Sequence, residues 1–248
     1  MWPYNVPLRF QKLSSGTIKT IALITMLIDH AAVALLLNPI LLPAVPIYRG
    51  TPEADLLTLY KVMRFIGRVA FPIFCFFLVE GFYHTRNKIR YALRLLVFAY
   101  ISEAPFDLAF NNGVIPDWSN QNTLFTLFFG LLAIWSYDYF RDKWYLQLPL
   151  VVGYCAAAHF CNTDYGWMGV VVIFLFYLLY NWRIPQLLTG FIALSFIVGE
   201  FPGVLLALPL LLIYNGQRGR MPKYLFYAFY PAHLLLLWGI VQIYGFAH

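Results

Sequence analysis

Charge is what this chain has least of. Of its 248 residues only 11% are Asp, Glu, Lys or Arg, whereas 61% are hydrophobic and the mean hydropathy is +0.69. A soluble domain carries roughly a quarter of its residues charged, so a free globular domain and a soluble domain on one anchor are both excluded. Cysteine is scarce too. Cys75, Cys155 and Cys161 lie in apolar surroundings with no metal-ligand spacing, as small core hydrophobes do, and no metal is expected. The chain shows no internal repeat, no low-complexity segment and no soluble linker, which leaves 1–248 as one integral membrane domain. The opening MWPYNVPLRFQKLSSG has neither an apolar h-region nor a cleavage site, so the first span is expected to stay in the mature protein.

What the chain has is apolar stretches along its whole length, which predict an all-α polytopic membrane protein. Nine spans are expected, at about 17–37, 62–85, 89–110, 121–139, 145–161, 166–181, 184–200, 203–214 and 224–246. A crossing needs about 20 residues, so the fifth and eighth are short enough to be tilted, broken or re-entrant. The break between the seventh and eighth rests on GEFPG (199–203), whose Pro and glycines interrupt a helix; reading through it gives eight spans.

The net charge of +6 comes from 17 basic and 11 acidic groups. The basic residues sit in short loops, where topology explains them better than nucleic acid does. One side collects Arg9, Lys12, Lys19, Arg86, Lys88, Arg90, Arg141, Lys143, Arg183, Arg218, Arg220 and Lys223, while the other holds Arg49 and Lys61. The N-terminus is therefore expected in the cytoplasm, and with nine spans the C-terminus lies outside. A single span from 184 to 214 would put Arg183 and the 218–223 cluster on opposite faces, which favours nine.

A charge at membrane depth costs at least about 2.5–3.5 kcal/mol, so each one is a candidate site. Lys19 and His30 are eleven residues apart, three helical turns plus about 20°, and point the same way roughly 16 Å apart along the axis. Asp29 points about 100° away from His30, so it is expected to be structural or to serve another helix. Arg64 and Arg68 stand one turn apart near the outer end of the second span, and Glu103 and Asp107 match them on the third. A structural ion-pair ladder explains these stripes as well as a carboxylate kept protonated by its neighbour for acid or base work. Pro105 between the two acids should kink the helix. Gln121, Asn122 and Asp164 fall on the same side and suit either loop and capping roles or substrate contact.

The inner layer is basic. Arg86, Arg90 and Arg94 form one stripe entering from the cytoplasm; the first two suit anchoring, and Arg94, deeper, suits an anionic ligand. Glu80 and His84 lie one turn apart near this end. YNGQRGRMPK (214–223) places Asn215, Arg218, Arg220 and Lys223 in one glycine-containing loop, of a kind that holds phosphates, though it is not a P-loop. His233, in YPAHL, stands about half-way into the last span and is ambiguous. A phosphate-friendly inner face and an acid/base-rich outer half suit chemistry across a membrane. The same inventory serves a proton-coupled transporter.

The stretches KTIALITMLIDH (19–30), RFIGRVAFPIFCFFLVEGFYHTRN (64–87), YALRLLVFAYISEAPFDLAF (91–110), QNTLFTLFFG (121–130), DYGWMG (164–169), IYNGQRG (213–219) and FYAFYPAHLLLL (226–237) resemble the TraX family in the same order along nearly the whole chain. That family's namesake is associated with N-terminal acetylation of F pilin, and the family looks related to the membrane-bound acyltransferase-3 superfamily, which carries Arg-x10-His on its first membrane helix. Here Lys19 and His30 keep that spacing, with Lys in place of Arg; the charge is kept and the planar fork is lost. FPIFCFFLVEGF is similar to the superfamily's apolar run ending in Ser-Gly, with Glu80 where Ser is usual.

The resemblance implies an acyltransferase-3-like bundle in a bacterial inner membrane that moves an acetyl group from cytoplasmic acetyl-CoA to an amine or hydroxyl. The acceptor would be a peptide or pilin N-terminus or an envelope glycan. His30 would be the general base, with Glu103 or Asp107 fixing its tautomer and Asp29 nearby. Lys19, Arg94, Arg86, Arg90, Asn215, Arg218 and Arg220 would meet the donor's phosphates. Arg64, Arg68, Gln121, Asn122, Asp164, Glu80, His84 and His233 would be within reach of the acceptor.

Overall fold

Ser14, Asn87 and Asn122 mark where three helices begin. Their side chains accept from the backbone N–H groups of Thr17, Arg90 and Leu124, which would otherwise be unpaired at a helix start. The computed structural model describes residues 12–48, 50–111, 115–198, 201–220 and 222–243. The elements are α1 (Ser15–Ala31), running on as a π-helical segment (Ala32–Leu41), then α2 (Pro52–Gly67), α3 (Ala70–His84), α4 (Lys88–Phe110) and α5 (Thr123–Tyr139). They continue with α6 (Trp144–Phe160), α7 (Gly166–Leu178), α8 (Arg183–Val198), α9 (Phe201–Leu205), α10 (Ala207–Leu212) and α11 (Lys223–Ile243). Among the described residues three stretches are long and apolar enough to cross a membrane by length and composition: Ser15–Leu41, Pro52–His84 and Tyr224–Ile243.

The expected segments reappear as helices, with two differences. The expected second span starts ten residues early, at Pro52, and is broken at Arg68–Val69 into α2 and α3. Pro52 opens the helix and Glu53 and Asp55 occupy its first turn, where the helix dipole favours them; these charges made the segment look like a loop. Arg64 and Arg68 thus sit at a mid-segment break and not at a span end. The expected eighth span is two short helices, α9 and α10. Arg9, Arg49 and the Gly199–Glu200 part of the expected break lie outside the described residues.

At the centre lies α3, buried continuously from Ala70 to Glu80 and apolar on every side as far as Val79, as a helix without a solvent face must be. Helix α1 packs on α2, α3 and α11, while α4 packs mainly on α5 and α11. The 213–218 turn docks on the start of α1. Ser15 Oγ donates to Arg218 O at 2.6 Å, Ser15 N to Gln217 O at 2.8 Å and Lys12 N to Ile213 O at 2.9 Å. Gly219 closes this turn in the left-handed region, at φ 70°, with Ser14 where a side chain would stand. The Arg218 loop is thereby held beside Lys19.

Candidate functional site

Lys19 and His30 are on one face of α1, and each lines a different cavity. The cavity at the Lys19 end is about 200 Å³ and is lined by Ser15, Gly16, Lys19 and Arg218 on the α1 side and by Thr85, Tyr91 and Pro222 opposite. Its Lys19 ammonium lies 4.9 Å from the centre of the Phe77 ring and 5.6 Å from that of Phe226, so aromatic faces hold the cation at the cavity wall. The cavity at the His30 end is about 350 Å³. Phe74, Leu124, Leu127, Phe226 and Tyr227 line both, so the two cavities meet at one wall of five apolar and aromatic side chains.

The larger cavity has an ionic side and an aromatic side. On the ionic side Arg64 Nη1 donates to Asp29 Oδ2 at 2.5 Å, with Arg68 and Asp164 on the same wall. Asp29 does serve another helix. Gly67 leaves the room it needs, since a Cβ there would collide with the Asp29 side chain. Thr123 Oγ1 donates to Asp164 Oδ2 at 2.5 Å. On the aromatic side His30 is held edge-on by Phe110 and Tyr230, with centroids 5.2 and 5.8 Å away. Its Nδ1 lies 2.7 Å from His233 Nε2.

The acids expected to ladder with Arg64 and Arg68, or to orient His30, do neither. Glu103 Oε2 accepts from the Asn122 side-chain amide and, at 3.4 Å, from the Asn122 backbone N–H at the start of α5. Asp107 accepts from Asn111 at 3.1 Å and from Asp117 N at 3.1 Å. The reason is packing: α1 lies on α2 and brings Asp29 to Arg64, whereas α4 lies on α5, whose N-terminus attracts a carboxylate. The partner of His30 is His233, which does not line the cavity.

Other expected site residues are scattered. Gln121 donates to Asp117 O, and Asn122 caps α5 and donates to Ala99 O; neither lines either cavity. Glu80 accepts from Tyr180 at 3.0 Å, from Tyr214 at 3.3 Å and pairs with His84 at 3.2 Å, outside both cavities. Arg86, Arg90 and Arg220 are exposed, and Asn215 accepts from Gln217 N within its own turn. Arg94 lies over the Tyr91 ring at 5.7 Å, behind the smaller cavity and not on its lining. Arg183, counted as a loop charge, is 2% exposed; it donates to Leu211 O and lies over Tyr214, fastening α8 to α10. Among the described residues no group of three or more His, Cys, Asp or Glu could hold a metal ion.

Sequence reasoning missed Tyr60, Asn111, Thr123 and Tyr230, all on the larger cavity. Tyr230 was within reach of it, since it precedes His233 by three residues and must share its helix face.

The chain is similar to known proteins in sequence. A protein of Dichelobacter nodosus named "Probable fimbrial assembly protein FimC, serogroup H1" is 30% identical over 249 residues, covering 90% of this chain and 94% of that one. No solved structure matches. The profile of the TraX protein family matches residues 14–241, a range that takes in both cavities and every helix but the last turn of α11, and the chain belongs to that family.

Proposed function

We propose that this protein is an inner-membrane acetyltransferase that takes its acetyl group from cytoplasmic acetyl-CoA and passes it to an amine or hydroxyl of a pilin-related peptide or an envelope glycan. Membership of the TraX family and the fimbrial name of the relative support the pilin-related part. The observation that carries the chemistry is the pair of abutting cavities strung along α1, with Lys19 in one and His30 in the other.

Lys19 and Arg218 supply two cations on the lining of the smaller cavity, a setting that suits phosphate. His30 lies roughly 16 Å further along the helix, within reach of an extended pantetheine arm that passes the shared wall. In the larger cavity His30 takes the proton of the attacking group as it bonds to the thioester carbonyl carbon; the C–S bond breaks and the thiolate leaves. The Asp29–Arg64 pair and Asp164 give the acceptor polar groups to bind opposite the aromatic wall.

The test is transfer from labelled acetyl-CoA by purified protein to a synthetic peptide with a free N-terminal amine and to a hexosamine. Labelled product supports the reading. Proton-coupled solute uptake in proteoliposomes without thioester consumption overturns it in favour of transport.

A further inference from the structure

His233 lies outside the cavity lining and is only 4% exposed, yet its ring is tied at both nitrogens. Nδ1 is 2.7 Å from Phe229 O, one turn earlier on α11, and Nε2 is 2.7 Å from His30 Nδ1. A carbonyl can only accept, so His233 Nδ1 carries a proton. A neutral His233 then has a bare Nε2, and His30 Nδ1 must be the donor between the two rings. A doubly protonated His233 would place a buried cation where no carboxylate is hydrogen-bonded to either ring and where the Arg64 guanidinium already lines the same cavity as His30. The neutral chain is preferred, and it leaves His30 Nε2 without a proton.

The ring geometry agrees. The planes are 12° apart and the centroids 4.9 Å apart, a separation that equals the N···N distance plus about one ring radius on each side. The rings therefore meet edge to edge along the N–H direction, as hydrogen-bonded imidazoles do, and not face to face.

We infer that His233 is a positioning residue that sets the tautomer of His30, in the place that a carboxylate takes in many acid–base triads. The inference rests on the acetyl-transfer reading above. In that reaction His30 Nε2 takes the proton of the attacking amine or hydroxyl as its bond to the carbonyl carbon forms. The C–S bond then breaks, the thiolate recovers that proton from Nε2, and both histidines return to the neutral state. While His30 is cationic, its Nδ1–H bond to His233 is charge-assisted.

Two measurements decide it. In ¹⁵N-histidine-labelled wild-type protein, with His30 assigned by comparison with His30→Gln, NMR should show His30 protonated at Nδ1 and bare at Nε2. That result needs no activity, so it stands apart from the fate of the acetyl-transfer reading; a His30 protonated at Nε2 overturns the inference. In the transfer assay, His233→Ala should lower kcat about 10²-fold with KM within about threefold. His233→Gln, whose amide oxygen can accept from Nδ1–H, should recover kcat to within about tenfold of wild type. A His233→Ala enzyme with kcat within about threefold of wild type, or a His233→Gln enzyme as inactive as His233→Ala, also overturns it.

Discussion

The Asp29 carboxylate and the Arg64 guanidinium meet at 2.5 Å across the contact between α1 and α2, on the wall of the larger cavity. Both side chains are mostly shielded, at 14% and 17% exposure. Removing one partner of a largely buried pair is costly because it strips the other of its counter-charge. Asp29→Ala or Arg64→Ala should each destabilise the protein by about 2–4 kcal/mol. The double variant should cost less than the sum by about 1–3 kcal/mol, measured by unfolding in detergent micelles. Additive costs would mean that the pair is not an energetic unit.

Gly67 tests the same contact from the other side. A Cβ there meets the Asp29 side chain, so Gly67→Ala should push the carboxylate off Arg64 and cost about 1–3 kcal/mol. In an Asp29→Gly background both the carboxyl and the Cβ that block the position are gone, and the added cost of Gly67→Ala should fall to within about 0.5 kcal/mol of zero. The measurement is again the unfolding midpoint of the four proteins.

Much of this could be read from the sequence, because membrane helices announce themselves by apolar runs and short punctuation. The 3.6-residue repeat alone aligned Lys19 with His30 on α1, and both proved to line cavities. It also turned Asp29 away from His30; that the helix it serves is the one carrying Arg64 came only from the structure. Pairing between helices was not legible. Depth matches Arg64 and Arg68 to Glu103 and Asp107, but depth does not say which helix is the neighbour, and α4 faces α5. His233 was ambiguous for the same reason: nothing in YPAHL reveals that α11 brings it to His30.

The shared wall gives a third expectation. Leu127 lines both cavities, so Leu127→Trp should crowd the wall where they meet without altering Lys19 or Arg218. Labelled CoA should bind with Kd within about threefold of wild type, while transfer falls about 10²-fold through misplacement of the thioester. Parallel loss of binding and transfer would mean that the cavities are not used in series.

Donor binding should separate the cations that line the smaller cavity from those that do not. Arg218→Ala and Lys19→Ala should each weaken CoA binding about tenfold, or about 1.4 kcal/mol. Arg86→Ala and Arg90→Ala, at exposed positions, should leave it within about twofold. Equilibrium binding of labelled CoA to the purified protein reads both sets.

Whether His30 is the base of an acetyl transfer is decided by the turnover of labelled acetyl-CoA by wild-type and His30→Ala proteins of equal monodispersity. The wild type should transfer the label and His30→Ala should lose about 10²- to 10⁴-fold in kcat, with CoA affinity unchanged. A His30→Ala protein that remains folded and turns over at the wild-type rate would contradict it.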